Sequence, residues 1–455
     1  MAKLRTVHRC TECGTGAPQW VGRCPGCGEW NTLVEEVEES RAVASLAAVR
    51  SAAVERPVPL AEVDASEYVA RPTGIGELDR VLGGGFVPGS VTLVGGEPGI
   101  GKSTLLLQVL GALAPSARAL LVSAEESKQQ VRLRAERLGA LHPNILVLSE
   151  TSLPSILAAV DDVKPDYLVV DSIQTVFDPE LGSAPGSVAQ VRECAYQLVQ
   201  VAKARALTTL LVGHVTKEGS LAGPRVLEHV VDTVLSFEGD RHHALRLLRA
   251  AKHRFGSTEE LGLFEMGEGG LSGVPDPSGL FLGDRVGGVA GSVVVPAMEG
   301  HRPLLVEVQA LVSPSSMPMP RRSAQGLDQG RLSLLLAVLD RRVGLSFAGA
   351  DVYASAVGGV RVVEPGADLA VSLALASALT GVALPAGLVA CGEVGLGGEL
   401  RQVAHTARRL AEAARLGFTS AVVPTSSPDP PTGLTLLRAS SLADAIAAVE
   451  VVKPP

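Results

Sequence analysis

Polar and apolar positions alternate along this chain in two distinct rhythms. Between residues 90 and 212, apolar runs of strand length recur at 90–94, 118–123, 144–148, 167–170 and 208–212, separated by stretches with helical spacing. That alternation predicts an α/β domain with a parallel sheet covered on both faces. Ligands of such sheets sit beyond the carboxyl ends of the strands. The residues there are the glycine-rich segment 95–104, then Glu125, Asp171 and His214. After residue 275 the rhythm changes. Residues 293–295 and 304–308 alternate like half-buried strands, 330–342 and 367–379 carry helical apolar stripes, and 389–400 reads as a strand and hairpin. A helix at 406–416 and a strand at 420–424 follow, so this second domain is α+β. Residues 35–70 begin with an acidic cluster, turn Ala/Val-rich and are broken by Pro57 and Pro59, the pattern of a linker. The boundaries expected are a small ribbon over 1–34, a linker over 35–70, an α/β domain over 71–275 and an α+β domain over 276–455.

With 455 residues the chain is long enough for two or three domains. A hydrophobic fraction of 46% with 19% charged residues is globular and excludes a disordered chain. Aromatics are only 3%, so the cores must be built from Val, Leu, Ala and Ile. The net charge of −8 gives no overall attraction to a polyanion, and a nucleic-acid partner would need local basic patches. The first residues are polar and basic, and no run reaches the ~18 apolar residues of a membrane helix. A soluble, cytoplasmic protein without membrane partners is expected. Four of the six cysteines fall in the first thirty residues, which does not resemble a disulfide framework in a chain of this size. Cys194 and Cys391 stand alone in apolar segments and read as core.

Candidate chemistry enters with residues 96–104: Gly96, Glu97, Pro98, Gly99, Ile100, Gly101, Lys102, Ser103 and Thr104. The spacing from Gly96 to Ser103 is that of a P-loop, and the strand before and helix after distinguish it from an ordinary glycine turn. Backbone N–H groups and a helix N-terminus suit a polyphosphate, Lys102 suits the β- and γ-phosphates of ATP, and the Ser103 hydroxyl suits Mg²⁺. Asp171 closes an apolar run and fits the carboxylate that holds the water shell of Mg²⁺. Glu125 is the expected general base, in preference to Glu126, because adjacent residues leave a strand in opposite directions. His214 fits a γ-phosphate sensor. In the N-terminal ribbon, Cys10, Cys13, Cys24 and Cys27 form two C-x-x-C pairs, the donor set of a closed structural Zn²⁺ site rather than of a thioredoxin-like redox centre. Lys3, Arg5, Arg9, Arg23, Trp20 and Trp30 give the ribbon a basic, aromatic surface.

These motifs, with residues 123–127 (SAEES), 213–219 (GHVTKEG), 222–229 (AGPRVLEH) and 252–256 (KHRFG), resemble the RadA (Sms) family of bacterial DNA repair proteins over essentially the whole chain. The resemblance implies a zinc ribbon, a RecA-like P-loop ATPase domain with a mainly parallel sheet, and a C-terminal Lon-protease-like α+β domain. It also implies a homo-hexameric, DNA-stimulated ATPase that works as a helicase or branch-migration motor on single-stranded and branched DNA beside the RecA recombinase. In that family residues 252–256 usually read KNRFG, and His253 here replaces the Asn. By resemblance Lys252 and Arg254 reach a neighbouring protomer's ATP site as piston and arginine finger, a role that His253 leaves with both cations in place. Loops over 174–192 and 216–225 are the expected DNA contacts, with Arg192, Lys217 and Arg225 as cations. The Lon-like segment departs from a protease: Asp368 takes the place of the nucleophilic serine and Ala407 that of the lysine, so no peptidase activity is expected. Arg321, Arg322, Arg341 and Arg342 offer a basic surface there. The competing readings are a regulatory, DNA-independent ATPase like KaiC and an ATP-dependent protease.

Overall fold

The structure is a computed structural model that describes residues 4–10, 15–26, 28–39, 58–62, 68–214, 225–239 and 245–450. The chain divides into two compact units, Met1–Val274 and Pro275–Pro455. Among the described residues no helix is long and apolar enough to cross a membrane.

The N-terminal ribbon is a three-stranded antiparallel sheet in which Leu4–Cys10 is central, between Gly16–Ala17 and Leu33–Glu39. The expected linker start at residue 35 is therefore corrected. The acidic segment pairs along the whole basic strand, with Arg5 opposite Glu38 and His8 opposite Glu35. Of the rest of 35–70, the structure describes 58–62 and 68–70, with a single 3₁₀ turn at Leu60–Glu62.

The remainder of this unit is built on a nine-stranded sheet. Six strands are parallel, in the spatial order Thr233–Glu238, Val91–Gly96, Thr208–His214, Tyr167–Asp171, Ala119–Ser123 and Ile145–Ser149. Five of them are the expected runs, displaced by a residue or two. Their side chains alternate between two cores: Val94, Leu121, Val169 and Val212 join helices Lys102–Leu113 and Lys128–Arg137 on one face. Leu93, Leu120, Val122, Leu168 and Leu211 join Leu153–Val163 and Val188–Arg205 on the other. Each fully buried aliphatic chain contributes about 2 kcal/mol, so the double covering is where this domain's stability lies. Helix starts are locally encoded: Ser127 and Gln130 form a capping box, and the Ser187 hydroxyl accepts from the Gln190 N–H. Beyond Thr233–Glu238 the sheet continues with three antiparallel strands, Leu245–His253, Leu261–Gly267 and Gly270–Gly273. Cys194 and Cys391 are fully buried, as expected, and burial pushes both thiols up to about 12.

The second unit has a mixed seven-stranded sheet. Its order is Arg322–Gln325, Ala350–Ala356, Arg302–Pro314, Ser292–Glu299, Leu388–Ala390, Ser420–Pro424 and Thr435–Ala439. The first hairpin is antiparallel, while the last three strands run parallel to Ser292–Glu299. The helix Asp368–Thr380 is buried almost along its length and packs against this sheet. Helices Gln329–Val338 and Thr406–Arg415 match the expected ones, and Glu393–Val394 pairs with Leu400–Arg401 as the expected hairpin.

Candidate nucleotide site

The P-loop leaves the carboxyl end of the central strand Val91–Gly96 and enters the helix Lys102–Leu113. Gly96 is required by space and Gly101 by its left-handed backbone. A Cβ on Gly96 would lie 2.6 Å from the Phe237 carbonyl oxygen, and one on Gly101, at φ +118°, 2.6 Å from Met266 Cε. Glu97, Pro98 and Gly99 are exposed at the crest of the loop, while Ile100 is buried beneath it. Lys102 is buried, and its ammonium donates to the carbonyls of Gly96 at 2.7 Å and Glu97 at 2.9 Å. Burial lowers the Lys102 pKa, and the nearby Asp171 and Glu125 carboxylates oppose that shift. The lysine is thus held inside the loop by two carbonyl oxygens that phosphate oxygens can replace.

Asp171 ends the neighbouring-but-one strand, and Ser103 and Asp171 both line a small cavity, together with Ser123, Glu126 and Arg134. A hydroxyl and a carboxylate on one cavity suit Mg²⁺, a hard cation that takes oxygen ligands. Glu125 stands exposed just past strand Ala119–Ser123, where the Ser172 Oγ–H donates to its Oε1 at 2.5 Å. Glu126 instead pairs with Arg134. The two acids therefore point to different partners, although both lie past the strand end on a bend, where strand alternation does not apply. The His214 backbone pairs with Gly96 at the end of the adjacent strand, next to the P-loop. Its side chain lies outside the described residues.

Sequence reasoning missed three supports of this site and one residue, Asp232, at the opposite end of the P-loop strand. Arg246 is buried under the loop and donates from Nε to the Ile100 carbonyl at 3.2 Å. Gln108 exchanges two 2.9 Å hydrogen bonds with the Leu271 backbone, fastening the P-loop helix to the antiparallel extension. Asp232 and Ser172 are the others. Each works through a contact far away in sequence, and only the S-after-D dipeptide at 171–172 carries any local signal.

Lys252 and Arg254 lie at the opposite end of the sheet. Lys252 Nζ donates to the carbonyls of Glu228 at 2.6 Å and Val231 at 2.8 Å, and burial, with Arg254 alongside, lowers its pKa. Arg254 Nη1 pairs with Asp232 Oδ1 at 2.9 Å, and Asp232 Oδ2 accepts from the Val91 N–H at 3.1 Å. The His253 ring meets Thr233 Oγ1 at 3.2 Å. Arg254 opens onto a cleft of about 700 Å³ also lined by Arg192, Tyr196, Lys203 and His229. Arg192 is corrected in place: it sits in the helix Val188–Arg205, not in a loop, because Ser187 caps that helix earlier than its glycine-rich approach suggests. Lys217 lies outside the described residues. The Arg225 backbone begins the helix Arg225–Val230, and its side chain is outside them.

In the ribbon, Cys10 and Cys24 are buried together with Ala17 and Leu33. The Gly26 N–H points at Cys24 Sγ at 3.3 Å, a contact that favours a thiolate and so suits Zn²⁺. Cys13 and Cys27 lie outside the described residues. Trp20 and Trp30 are exposed, and the Arg23 guanidinium lies 6.0 Å from the Trp30 ring centre.

In the second unit Asp368 is buried, and Arg331 grips it through Nε at 2.8 Å and through Nη2. The Val394 N–H adds a third donor at 3.1 Å. Burial raises the Asp368 pKa, and these donors counter the rise. Ala407 is exposed on its helix. Of the four expected surface arginines, Arg322 spends its guanidinium on the carbonyls of Arg321, Phe347 and Ala350. Arg321, Arg341 and Arg342 are exposed, although Arg342 Nε also reaches the Leu396 carbonyl at 3.3 Å.

The chain is similar in sequence to known proteins over nearly its whole length. Residues 54–220 match the AAA domain family, and residues 8–35 match the rubredoxin metal binding domain family. The DNA repair protein RadA of Bacillus subtilis is 49% identical over 454 residues, covering 98% of this chain and 99% of that one. RadA of Halalkalibacterium halodurans is 50% identical over 426 residues, covering 93% of each. Among solved structures, a KaiC-like protein of Pyrococcus horikoshii is 21% identical and covers 46% of this chain and 100% of its own, with a TM-score of 0.38.

Proposed function

The chain belongs to the RadA family of DNA repair proteins, and from that premise we propose that it is an ATP-driven motor on single-stranded and branched DNA whose hydrolytic site is shared between protomers. One observation carries the reading. Arg254 is tied through Asp232 to Val91, the first residue of the P-loop strand, whereas the P-loop leaves that strand after Gly96. Five strand steps span roughly 16 Å, well beyond the reach of an arginine side chain. Arg254 therefore cannot touch the phosphates bound by its own P-loop. A cation half-exposed at a cleft, and useless to its own site, suits the nucleotide of a neighbouring copy.

In this reading the P-loop amides and Lys102 bind the triphosphate, while Ser103 and Asp171 would hold Mg²⁺, which neutralises developing phosphate charge when bound. Glu125 takes the proton of the attacking water as its oxygen bonds to the γ-phosphorus and the bond to the β-phosphate oxygen breaks. Arg254 and Lys252 from the adjacent protomer add positive charge to the transferring group. To do so, Lys252 must give up its two carbonyls and Arg254 its hold on Asp232, which makes hydrolysis depend on assembly. His214 sits where strand pairing could report the γ-phosphate to the segment that carries Lys217 and Arg225, the proposed DNA contacts. We assign Arg192 to the cleft beside Arg254 rather than to a pore loop. Six protomers, and RecA as a partner, rest on the family resemblance.

The zinc ribbon is proposed as a separately folded module, and the second unit as a non-proteolytic domain. The Arg331–Asp368 pair there supplies neither a nucleophile nor a base. The test is ATP turnover with and without oligonucleotide. Single-stranded DNA is expected to raise turnover several-fold, and Lys102→Ala to abolish it. A rate indifferent to DNA would favour a regulatory ATPase instead.

A further inference from the structure

We propose that Ser172 is the positioning residue of the general base, holding the Glu125 carboxylate in the attitude from which it takes a proton; this rests on the assignment of Glu125 above. Glu125 sits on an exposed bend with a long, flexible side chain, a poor platform for a base that must meet one water molecule. Ser172 is the opposite. It is 0% exposed and follows directly on the strand that carries Asp171. Its carbonyl accepts from Thr175 Oγ1 at 2.8 Å and from the Thr175 N–H at 3.3 Å. The neighbouring strands are locked at the same level by the Ala124 N–H donating to the Asp171 carbonyl at 2.8 Å. A hydroxyl fixed in this way and donating to Oε1 gives the carboxylate a rigid point of attachment at the end of the Asp171 strand.

The adjacent acid shows why such an anchor is needed. Glu126 is drawn to Arg134 by an ion pair, and its backbone is gathered by Ser123, whose Oγ donates to the Glu126 carbonyl at 2.8 Å and accepts its N–H at 3.2 Å. A Glu125 side chain without its serine would have other conformations open to it. A displacement of about an ångström at a reacting group costs one to two powers of ten in rate. Because the hydroxyl is assigned to hold the base and not the nucleotide, its loss is expected in kcat and not in nucleotide affinity.

The experiment measures steady-state ATP turnover, ATP affinity and melting temperature for the full chain with Ser172→Ala and with the near-isosteric Ser172→Cys, each alone and combined with Glu125→Gln. We expect Ser172→Ala to lower kcat about 10-fold and Ser172→Cys less, with ATP affinity unchanged within about 2-fold. In the Glu125→Gln background Ser172→Ala should change the residual rate by less than about 2-fold, since a positioning residue has nothing left to position. The inference is overturned if both serine variants turn over normally, or if the loss is as large in the Glu125→Gln background as in the wild type. Should Ser172→Ala fail to fold, Ser172→Cys decides by the same criteria. A Glu125→Gln protein with normal turnover would instead sink the assignment of the base itself, a result distinct from the failure of Ser172 alone.

Discussion

Glu125 and Glu126 are neighbours with the same side chain and opposite surroundings. One accepts a hydroxyl from the end of the Asp171 strand, and the other is neutralised by Arg134. That contrast decides their roles better than sequence position does. Glu125→Gln is expected to lower kcat by at least about 100-fold, in the usual range for loss of a general base. Glu126→Gln should cost less than about 3-fold in kcat, because it removes only a partly exposed ion pair. Equal losses in steady-state turnover would contradict the assignment. At this scale the sequence was informative wherever chemistry is written into local spacing. Lys102, Ser103 and Asp171 follow from a strand, a glycine loop and a run of apolar residues ending in a carboxylate. Ser172, Asp232 and Arg246 did not stand out, since each acts on a residue 47, 141 or 146 positions away.

The elements divide in the same way. The parallel strands were legible because each is a continuous apolar run flanked by helical spacing. The antiparallel extension Leu245–Gly273 was not, since it carries charge: Arg246 and Arg249 interrupt the apolar positions of Leu245–His253. Arg246 is nevertheless buried, and one of its hydrogen bonds goes to the P-loop. The ribbon's last strand, Leu33–Glu39, reads as linker for a related reason, its sequence being mostly acidic. With a core of only Cys10, Ala17, Cys24 and Leu33 among the described residues, the ribbon has too little apolar surface to fold unaided. Cys24→Ser should therefore release zinc and unfold the ribbon. ATP affinity should stay within about 2-fold of wild type, because the P-loop is supported by its own two cores. Zinc content and nucleotide titration on the same sample check both halves, and a lost ATP affinity would refute the independence of the ribbon.

For the whole molecule, the P-loop and Arg254 occupy opposite ends of one sheet. The resemblance in sequence suggested an arginine finger but gave no reason for it. The reason is the hydrogen-bond chain Arg254–Asp232–Val91, which fixes the cation at the wrong end of its own P-loop strand. That arrangement suits a phosphoryl-transfer site that is complete only when two copies meet. The Arg331–Asp368 pair shows the same economy in the second unit, where a carboxylate at the position the sequence resemblance gives to a serine is consumed by an ion pair. The most direct test of the shared site is to mix two inactive proteins, Lys102→Ala and Arg254→Ala, with ATP and single-stranded DNA. Each alone should be nearly silent, and the mixture should regain turnover, because an intact P-loop from one copy then meets an intact Arg254 from the other. If the mixture stays as silent as its parts, or if Arg254→Ala alone hydrolyses ATP at the wild-type rate, the shared site is contradicted.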